Sequence, residues 1–228
     1  VRYLPVFVAL LPVALHAVLS ACSSQSSWRV RRGAVAVACV LQTRLRFVLD
    51  AAQHSAIDAA LLSLLGDPRR EVQETARLAV STRVAHLTAA ETRALCETFA
   101  AGADSAAASR KKRRRIAKRQ QAAAGAGVAV AVGEPSGAME EQQKNVLGLS
   151  AVVLAAPCDV PAWVPGALES LARHANDESP GRLPVTHTFK EFRRTHQDKW
   201  EESHKARFTR DQLDTFDDVL GGAHSYFI

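Results

Sequence analysis

The sequence predicts an all-α fold in which antiparallel helix pairs stack side by side. Hydrophobic residues make up 47% of the 228 residues and aromatic residues only 6%, whereas β-sandwiches need strands rich in β-branched and aromatic side chains. A leucine-rich segment leads through an Asp-Pro step into a second helical pattern. Two capping boxes, Thr88–Glu91 and Thr209–Gln212, each mark the start of a helix.

The first helical segment, Tyr3 to Ala21, carries no formal charge. Its length also suits a transmembrane span, and Arg2 together with Leu19–Cys22 mimics a lipoprotein signal. Pro5, Pro12 and His16 weigh against both interpretations. Pro5 is tolerated in a first turn, whereas Pro12 would kink or restart the helix. A buried helix in a helical stack is also apolar nearly all round. We favour a core helix here, and the start at Val1 suggests a piece of a longer protein.

Two helices are expected next. Ser26-Ser27 supplies an N-cap for a long helix from Trp28 to about Leu49. An amphipathic helix with leucines on its inner face follows, from about His54 to Leu65, and Gly66 ends it.

The Asp67-Pro68 step joins that helix to the following one. Asp67 can cap a helix, and Pro68 suits its first position. Val72 and Ala76 then recur at helical spacing. A leucine-rich helix, an Asp-Pro turn and a V-x-x-x-A pattern are typical of a HEAT repeat. Residues 1–101, which end with the helix opened by Thr88, are therefore interpreted as HEAT-like repeats.

Helical periodicity fails from Gly102 to about Met139, a stretch rich in Ala, Gly and Ser. We expect residues 102–139 to form a disordered basic loop, because such a composition buries too little apolar surface to offset its ordering entropy. Its basic run is a solvated spacer, a nuclear localisation signal or a nucleic-acid contact. The last is disfavoured, since no aromatic side chains are interleaved for stacking. The localisation hypothesis assigns Arg110, Lys111, Lys112, Arg113, Arg114, Arg115, Lys118 and Arg119.

Residues 140–220 are expected to form further helical repeats. The predicted parts are a buried helix from Asn145 to Ala156, a proline-punctuated turn from Pro157 to Pro165, a helix from Gly166 to about Ala175, a loop from Asn176 to Pro184, a polar helix from Val185 to about Phe208, and a last helix from Thr209 to about Leu220. In the polar helix, Phe189, Phe192, His196 and Trp200 fall on one face.

The sequence indicates no catalytic site and no metal-binding site. His196 and Asp198 are acid–base residues, but no nucleophile or second acid stands at a useful spacing, so we expect a structural role. The widely separated cysteines Cys22, Cys39, Cys96 and Cys158 show neither zinc-ligand nor disulfide spacing, which suggests reduced thiols inside a cell. The sequence predicts a protein that is not an enzyme and uses no cofactor or metal. The net charge of +6 is concentrated in the basic run, so it does not by itself indicate nucleic-acid binding.

The chain ends on Tyr226, Phe227 and Ile228, preceded by Gly221-Gly222. Such an arm suits insertion into a partner's pocket, because aromatic anchors bury area at low entropy cost and a terminal carboxylate can pair with a lysine. The alternative is a frayed terminus without a role.

Four blocks in the second half resemble one family. They are Leu147–Ala151, Pro157–Pro165, Phe192–Trp200 with its F-R-R-T-H-x-D-x-W string, and Phe208–Leu213. They are similar, in order, to the C-terminal region of the large ATP-independent HEAT-repeat proteasome activators of the Blm type. The resemblance extends from about Ser27 to Ile228. Its structural signature comprises Pro157, Asp159, Pro161, Trp163, Arg193, Arg194, His196, Asp198 and Trp200.

The resemblance implies a function. Family members form a dome over the 20S core particle and insert a hydrophobic–tyrosine–any tail between two α subunits, where its carboxylate pairs with a lysine and helps to open the gate without ATP. The docking residues here would be Tyr226, Phe227 and Ile228. Phe227 stands at the tyrosine position and lacks the hydroxyl, one hydrogen bond of about 0.5–1.5 kcal/mol.

The resemblance also implies nuclear roles in DNA repair, ubiquitin-independent proteolysis and turnover of acetylated histones. We therefore expect a protein of nucleus and cytoplasm. A membrane and a direct nucleic-acid partner are not expected. The acetyl-lysine site proposed for the family is not carried over, because Ala85-His86-Leu87 offers neither its Asn nor its aromatic residue. Two alternatives remain: a nuclear HEAT adaptor or transport receptor that does not bind proteasomes, and a membrane-anchored protein.

Overall fold

The computed structural model describes residues 4–23, 25–123, 136–177 and 182–221. Those residues contain helices and no strand, which confirms the all-α fold. The helices are α1 (Leu4–Ala21), α2 (Trp28–Arg44), α3 (Ala51–Leu64), α4 (Arg70–Val84), α5 (Ala89–Ala123), α6 (Ser136–Val153), α7 (Val164–Ala172), α8 (Arg182–Thr195) and α9 (Arg210–Gly221). A 3-10 turn (Gln197–Lys199), a π turn (Trp200–His204) and a second 3-10 turn (Lys205–Arg207) separate α8 from α9.

The first helix packs on α2 and α3. Leu11 and Leu15 lie buried in the core, whereas Leu10 and Val13 on the opposite side are exposed. Within the described residues, no helix combines the length and the apolar character that a membrane span requires.

Two helix boundaries near residue 50 differ from the sequence prediction. The predicted cap of α2 is present, because the Ser27 side chain accepts from the Val30 amide. However, α2 ends at Arg44, and α3 begins at Ala51. The reason is a capping box that the sequence reading missed: Asp50 accepts from the Gln53 amide at 2.8 Å, and Gln53 accepts from the Asp50 amide at 3.1 Å.

Asp67 does not cap α4. The residue that precedes the helix is Arg69, whose side chain makes no capping bond. The Asp67 carboxylate instead accepts from the Arg69 amide at 2.8 Å and pairs with the buried guanidinium of Arg31, 36 residues earlier. A short acidic side chain that folds back on its own turn is a common alternative to helix capping.

The predicted loop is wrong for residues 102–123, which continue α5 without a break. Its buried stripe runs through Cys96, Phe99, Ala103 and Ala106, and the Ala-, Lys-, Arg- and Gln-rich sequence beyond it has high helix propensity. The opening residues of α6 fall in the same predicted loop. Residues 124–135 lie outside the described residues.

Gly102 permits a close helix contact rather than a break. A Cβ atom on Gly102 would lie 2.5 Å from Oδ1 of Asn145 in α6, and one on Gly148 would overlap the Phe99 ring. Since Phe99 faces Gly148 and Gly102 faces Asn145, the two helices run antiparallel and pack closely at these two glycines.

The polar helix predicted to reach Phe208 ends at Thr195. The Phe192 carbonyl accepts from the His196 amide at 3.1 Å, and the ring nitrogen Nδ1 of His196 also lies 2.8 Å from the same oxygen. The irregular turns that follow bury both Trp200 and His204. Phe189, Phe192 and His196 are also buried, as their shared face predicted.

Candidate functional site

The predicted docking residues Tyr226, Phe227 and Ile228 lie outside the described residues. The structure does describe the helix that leads to them, α9, which ends at Gly221. The candidate site is therefore built from α9, from the surfaces that hold it and from the basic run on α5.

The start of α9 is fixed by the predicted capping box. The Thr209 hydroxyl oxygen accepts from the Gln212 amide at 3.3 Å, and the Gln212 side chain accepts from the Thr209 amide at 3.1 Å. The Thr88–Glu91 box at the start of α5 is formed in the same way. Both predictions are confirmed, and each bond satisfies an amide that the first helical turn leaves unpaired.

Phe216 anchors α9 to the rest of the molecule. Its ring lies among four others, which together form what we call the aromatic cluster: Phe189, Phe192, Trp200, Phe208 and Phe216. The Trp200 and Phe216 rings are stacked, with centroids 5.4 Å apart and an interplanar angle of 27°. Ring pairs of this kind stabilise by about 0.5–1.5 kcal/mol beyond the area they bury. Phe216 was not singled out from the sequence, although an aromatic residue within the last predicted helix is a signal for burial.

His196 joins the end of α8 to the proline-punctuated turn. Its Nε2 lies 3.1 Å from the carbonyl oxygen of Asp159, and its ring stacks on Phe192 at 4.0 Å. The predicted structural role therefore has a geometric basis. The ring of the buried His204 lies 5.2 Å away. Burial, and secondly the neighbouring His196, lower the pKa of His204 below its ordinary value.

The charged residues of the F-R-R-T-H-x-D-x-W string act in different ways. The Arg193 guanidinium lies 4.3 Å from the centre of the Trp200 ring, a cation–π contact that connects α8 to the π turn. Arg194 pairs with Glu191 within α8 itself, at 2.7 Å. Asp198 is exposed and makes no hydrogen bond or ion pair with any described residue. Of the two residues for which a structural role was expected, His196 has contacts that fit such a role, and the side chain of Asp198 has none among the described residues.

The proline-punctuated turn supplies backbone contacts rather than reactive groups. The Asp159 carboxylate accepts from the Val160 amide at 2.8 Å, and the Pro161 carbonyl accepts from the Val164 amide at 2.9 Å. Trp163 is half-buried directly before α7, and Pro157 is exposed. These bonds fix the entry of α7, against which α9 packs.

A buried polar group that the sequence did not reveal ties α5, α6 and α7 together. Nδ1 of His174 lies 3.0 Å from the Asp177 carboxylate, and the Gln142 side chain contacts both. Asp104 of α5 approaches the other side of the His174 ring and pairs with Arg173 at 3.1 Å.

The basic run forms part of the helix α5 rather than a loop. Its side chains at Lys111, Lys112 and Arg115 are exposed, as is Ile116.

No three potential metal ligands lie together anywhere in the described ranges. A cavity of about 440 Å³ lies between α4, α6 and α8. Several of its polar lining groups are paired with one another: Glu74 pairs with Arg77, and the side-chain amide of Gln143 donates a hydrogen bond to the side-chain oxygen of Gln73.

Comparison with known proteins matches residues 139–228 to the family described as "Proteasome activator complex subunit 4-like, C-terminal". Proteasome activator complex subunit 4 of Xenopus laevis is 48% identical over 86 residues, which is 38% of this chain and 5% of the relative. The human protein of that name is 46% identical over 86 residues, again 38% of this chain and 5% of the relative. Proteasome activator subunit 4 of Arabidopsis thaliana is 45% identical over 82 residues, 36% of this chain and 4% of the relative.

These matches confirm the family resemblance for the C-terminal region. The matched segment amounts to only 5% of the length of the animal relatives. The family model begins at Met139, so the resemblance that the sequence analysis extended to residues 27–138 stays a prediction.

Proposed function

We propose that this chain forms the C-terminal part of a proteasome activator and docks through its tail on the α ring of the 20S core particle. The observation that carries the proposal is the match of residues 139–228 to the C-terminal region of this activator family. The chain ends in Tyr226-Phe227-Ile228, which departs from the family tail only in the missing tyrosine hydroxyl.

The described residues support this proposal because they hold α9, the helix that precedes the tail, in place. The aromatic cluster holds α9 through Phe216, which is 2% exposed. Seven residues, 222–228, follow the helix, and seven extended residues reach at most about 24 Å. A rigid helix followed by a short arm confines the aromatic anchors to a small volume, which lowers the entropy lost on docking.

In the proposed mechanism the chain makes and breaks no covalent bond. The Tyr226 and Phe227 rings fill a groove between α subunits, and the terminal carboxylate of Ile228 pairs with a lysine there. Docking favours the open gate to the extent that the tail binds the open ring more tightly than the closed ring. Small or unfolded substrates then enter without ATP or ubiquitin. The proposed nuclear roles are turnover of acetylated histones and a part in DNA repair.

The proposed location is the nucleus and the cytoplasm, with import driven by the basic run from Arg110 to Arg119. The exposure of Lys111, Lys112 and Arg115 supports this role, because a receptor must reach these side chains.

The test is capture of purified 20S particles by the full-length parent protein, with and without the last three residues. We expect deletion to reduce both capture and stimulated peptide hydrolysis. Ile228→Val is the matched control, because it keeps the chain length and the carboxylate. Unchanged stimulation after deletion contradicts tail docking, and absence of any 20S capture by the intact protein favours the nuclear adaptor instead.

A further inference from the structure

The distal part of α5 projects beyond the helix core. The buried positions of the helix end at Ala106, and every described side chain from Ala108 onward is exposed. The helix nevertheless continues to Ala123. At 1.5 Å per residue, the projecting part is about 25 Å long.

This projecting helix carries the main positive charge of the chain. Eight of the ten residues from Arg110 to Arg119 are Lys or Arg, and no acidic residue occurs between Asp104 and Glu134. These eight cations exceed the net charge of +6, so the rest of the chain is net acidic. Asp104, the nearest preceding acid, is already paired with Arg173.

The positive charges of this helix repel one another. Lys111 and Arg115 stand four residues apart, and like charges at that spacing destabilise a helix by about 0.2–0.5 kcal/mol per pair. Six consecutive cations, Arg110 to Arg115, also cover more than one turn of 3.6 residues, which leaves no apolar face for packing. A polyanion that surrounds the helix relieves this repulsion and releases the counterions of both partners.

The helical state changes which nucleic acid fits. Single-stranded nucleic acid is held largely by stacking on aromatic rings, and no aromatic residue occurs between Phe99 and Trp163. A helix of about 10–12 Å diameter fits the major groove of B-form DNA, which is about 12 Å wide, and needs no aromatic residue there. The major groove of duplex RNA is too narrow for side-chain access.

We propose that the α5 arm, residues Arg110–Arg119, binds the phosphate backbone of duplex DNA as a helix laid in the major groove, without strong sequence preference. Basic helices that continue out of a folded helical body reach DNA in this way in other proteins. The arm thereby adds a DNA-holding surface to the chain, independent of the tail.

The first experiment measures binding of the full chain to a fluorescein-labelled DNA duplex of mixed sequence, by anisotropy, from about 50 to about 200 mM salt. We compare the triple variant Arg113→Gln, Arg114→Gln, Arg115→Gln with a matched triple variant of exposed cations elsewhere, Arg32→Gln, Arg44→Gln, Arg93→Gln. The arm variant should lose at least about tenfold in affinity and flatten the salt slope by about 3, since each phosphate contact contributes about 0.9. Equal losses in the two variants overturn the proposal.

The second experiment separates a groove-bound helix from simple charge attraction. Ala117→Pro keeps all eight cations but interrupts the helix, whereas Ala117→Ser keeps both. The proline variant should lose the preference for duplex DNA over single-stranded DNA, and the serine variant should retain it. An unchanged preference in the proline variant overturns the proposal. Competition by polyglutamate as strong as that by duplex DNA also overturns it, and assigns the arm to acidic protein surfaces.

Discussion

Arg31 and Asp67 form a two-point ion pair that connects the start of α2 to the turn before α4. Nε of Arg31 lies 2.6 Å from Oδ2 of Asp67, and Nη2 lies 3.0 Å from Oδ1. The hydrogen bond to Asp67 and the charge of Asp67 raise the pKa of Arg31 despite some desolvation. A third contact, from Nη1 to the Ser26 carbonyl, fixes the residues before α2 as well.

Breaking this pair on one side should destabilise the chain more than removing both partners. We expect Arg31→Met to lower the free energy of unfolding by about 3 kcal/mol, because it leaves a carboxylate that is only 3% exposed without its partner. The double variant with Asp67→Leu should recover part of that loss. Urea titration followed by circular dichroism measures both, and equal losses in the single and double variants contradict the role given to the buried charge.

The close contact between α5 and α6 gives a second prediction. Gly148→Ala should destabilise by about 1–3 kcal/mol, because the new methyl group overlaps the Phe99 ring in a packed core. The control is Gly33→Ala in the interior of α2, where nothing lies within 4 Å of the new Cβ. That substitution should instead stabilise by about 0.5–1 kcal/mol, since alanine is the better helix former. Thermal unfolding of the two variants should shift in opposite directions.

The buried His204 makes stability depend on pH. Burial lowers its pKa in the folded chain, so the unfolded chain binds the proton more readily below the ordinary pKa of 6.5. Well above pH 6.5, protonation of His204 does not affect the free energy of unfolding. As the pH falls from there through the pKa of the folded state, stability is lost. His196, Lys199 and Arg207 act in the same direction, while Asp159 opposes them. His204→Gln should reduce the slope of the denaturation midpoint against pH in that window, and an unchanged slope assigns the dependence to other groups.

The tail allows a test of whether the position of the terminal carboxylate matters. If the proposed docking on the 20S particle is right, one added glycine after Ile228 should weaken binding more than Ile228→Val does, because the proposed pairing of the carboxylate with a lysine requires the chain to stop at that position. Phe227→Tyr should match or strengthen peptidase stimulation, since it restores a hydroxyl worth about 0.5–1.5 kcal/mol. The measurements are 20S affinity and peptide hydrolysis with the full-length protein. Tolerance of the added residue excludes carboxylate recognition.

The proposed role of the basic run in nuclear import has its own test. Replacing Lys111, Lys112, Arg113, Arg114 and Arg115 with alanine should lower the nuclear fraction of the full-length protein in imaging, because a receptor loses its cationic contacts. Alanine also keeps helix propensity, so α5 should persist in circular dichroism. An unchanged nuclear fraction means that the run does not direct import.

The sequence predicted best what is local. The capping boxes at Thr88 and Thr209 formed because their partners stand three residues apart, and the shared face of Phe192 and His196 follows from helical spacing alone. The Arg31–Asp67 pair spans 36 residues, and no local pattern encodes such a contact. Asp67 was therefore given a capping role.

Two errors concern the positions at which helices end. Gly102 looked like the end of a helix, but its missing side chain serves the approach of Asn145. The helix through Val185 was extended past His196, although that ring lies against the Asp159 carbonyl, 37 residues earlier in the chain, at the end of the helix. In both places tertiary contacts decided the boundary, and the sequence window contained only one partner of each contact.

The unbroken course of α5 has a mechanical consequence. Phe99 of this helix contacts Gly148, and the same helix carries the α5 arm beyond Ala106. A flexible loop would absorb any pull or rotation at its tip within a few bonds. A continuous helix instead acts as a lever, so a load held near Ala123 is transmitted as torque to the α5–α6 contact, about 36 Å away along the axis. Stiffness of that contact then sets how far the load can swing relative to the helix core.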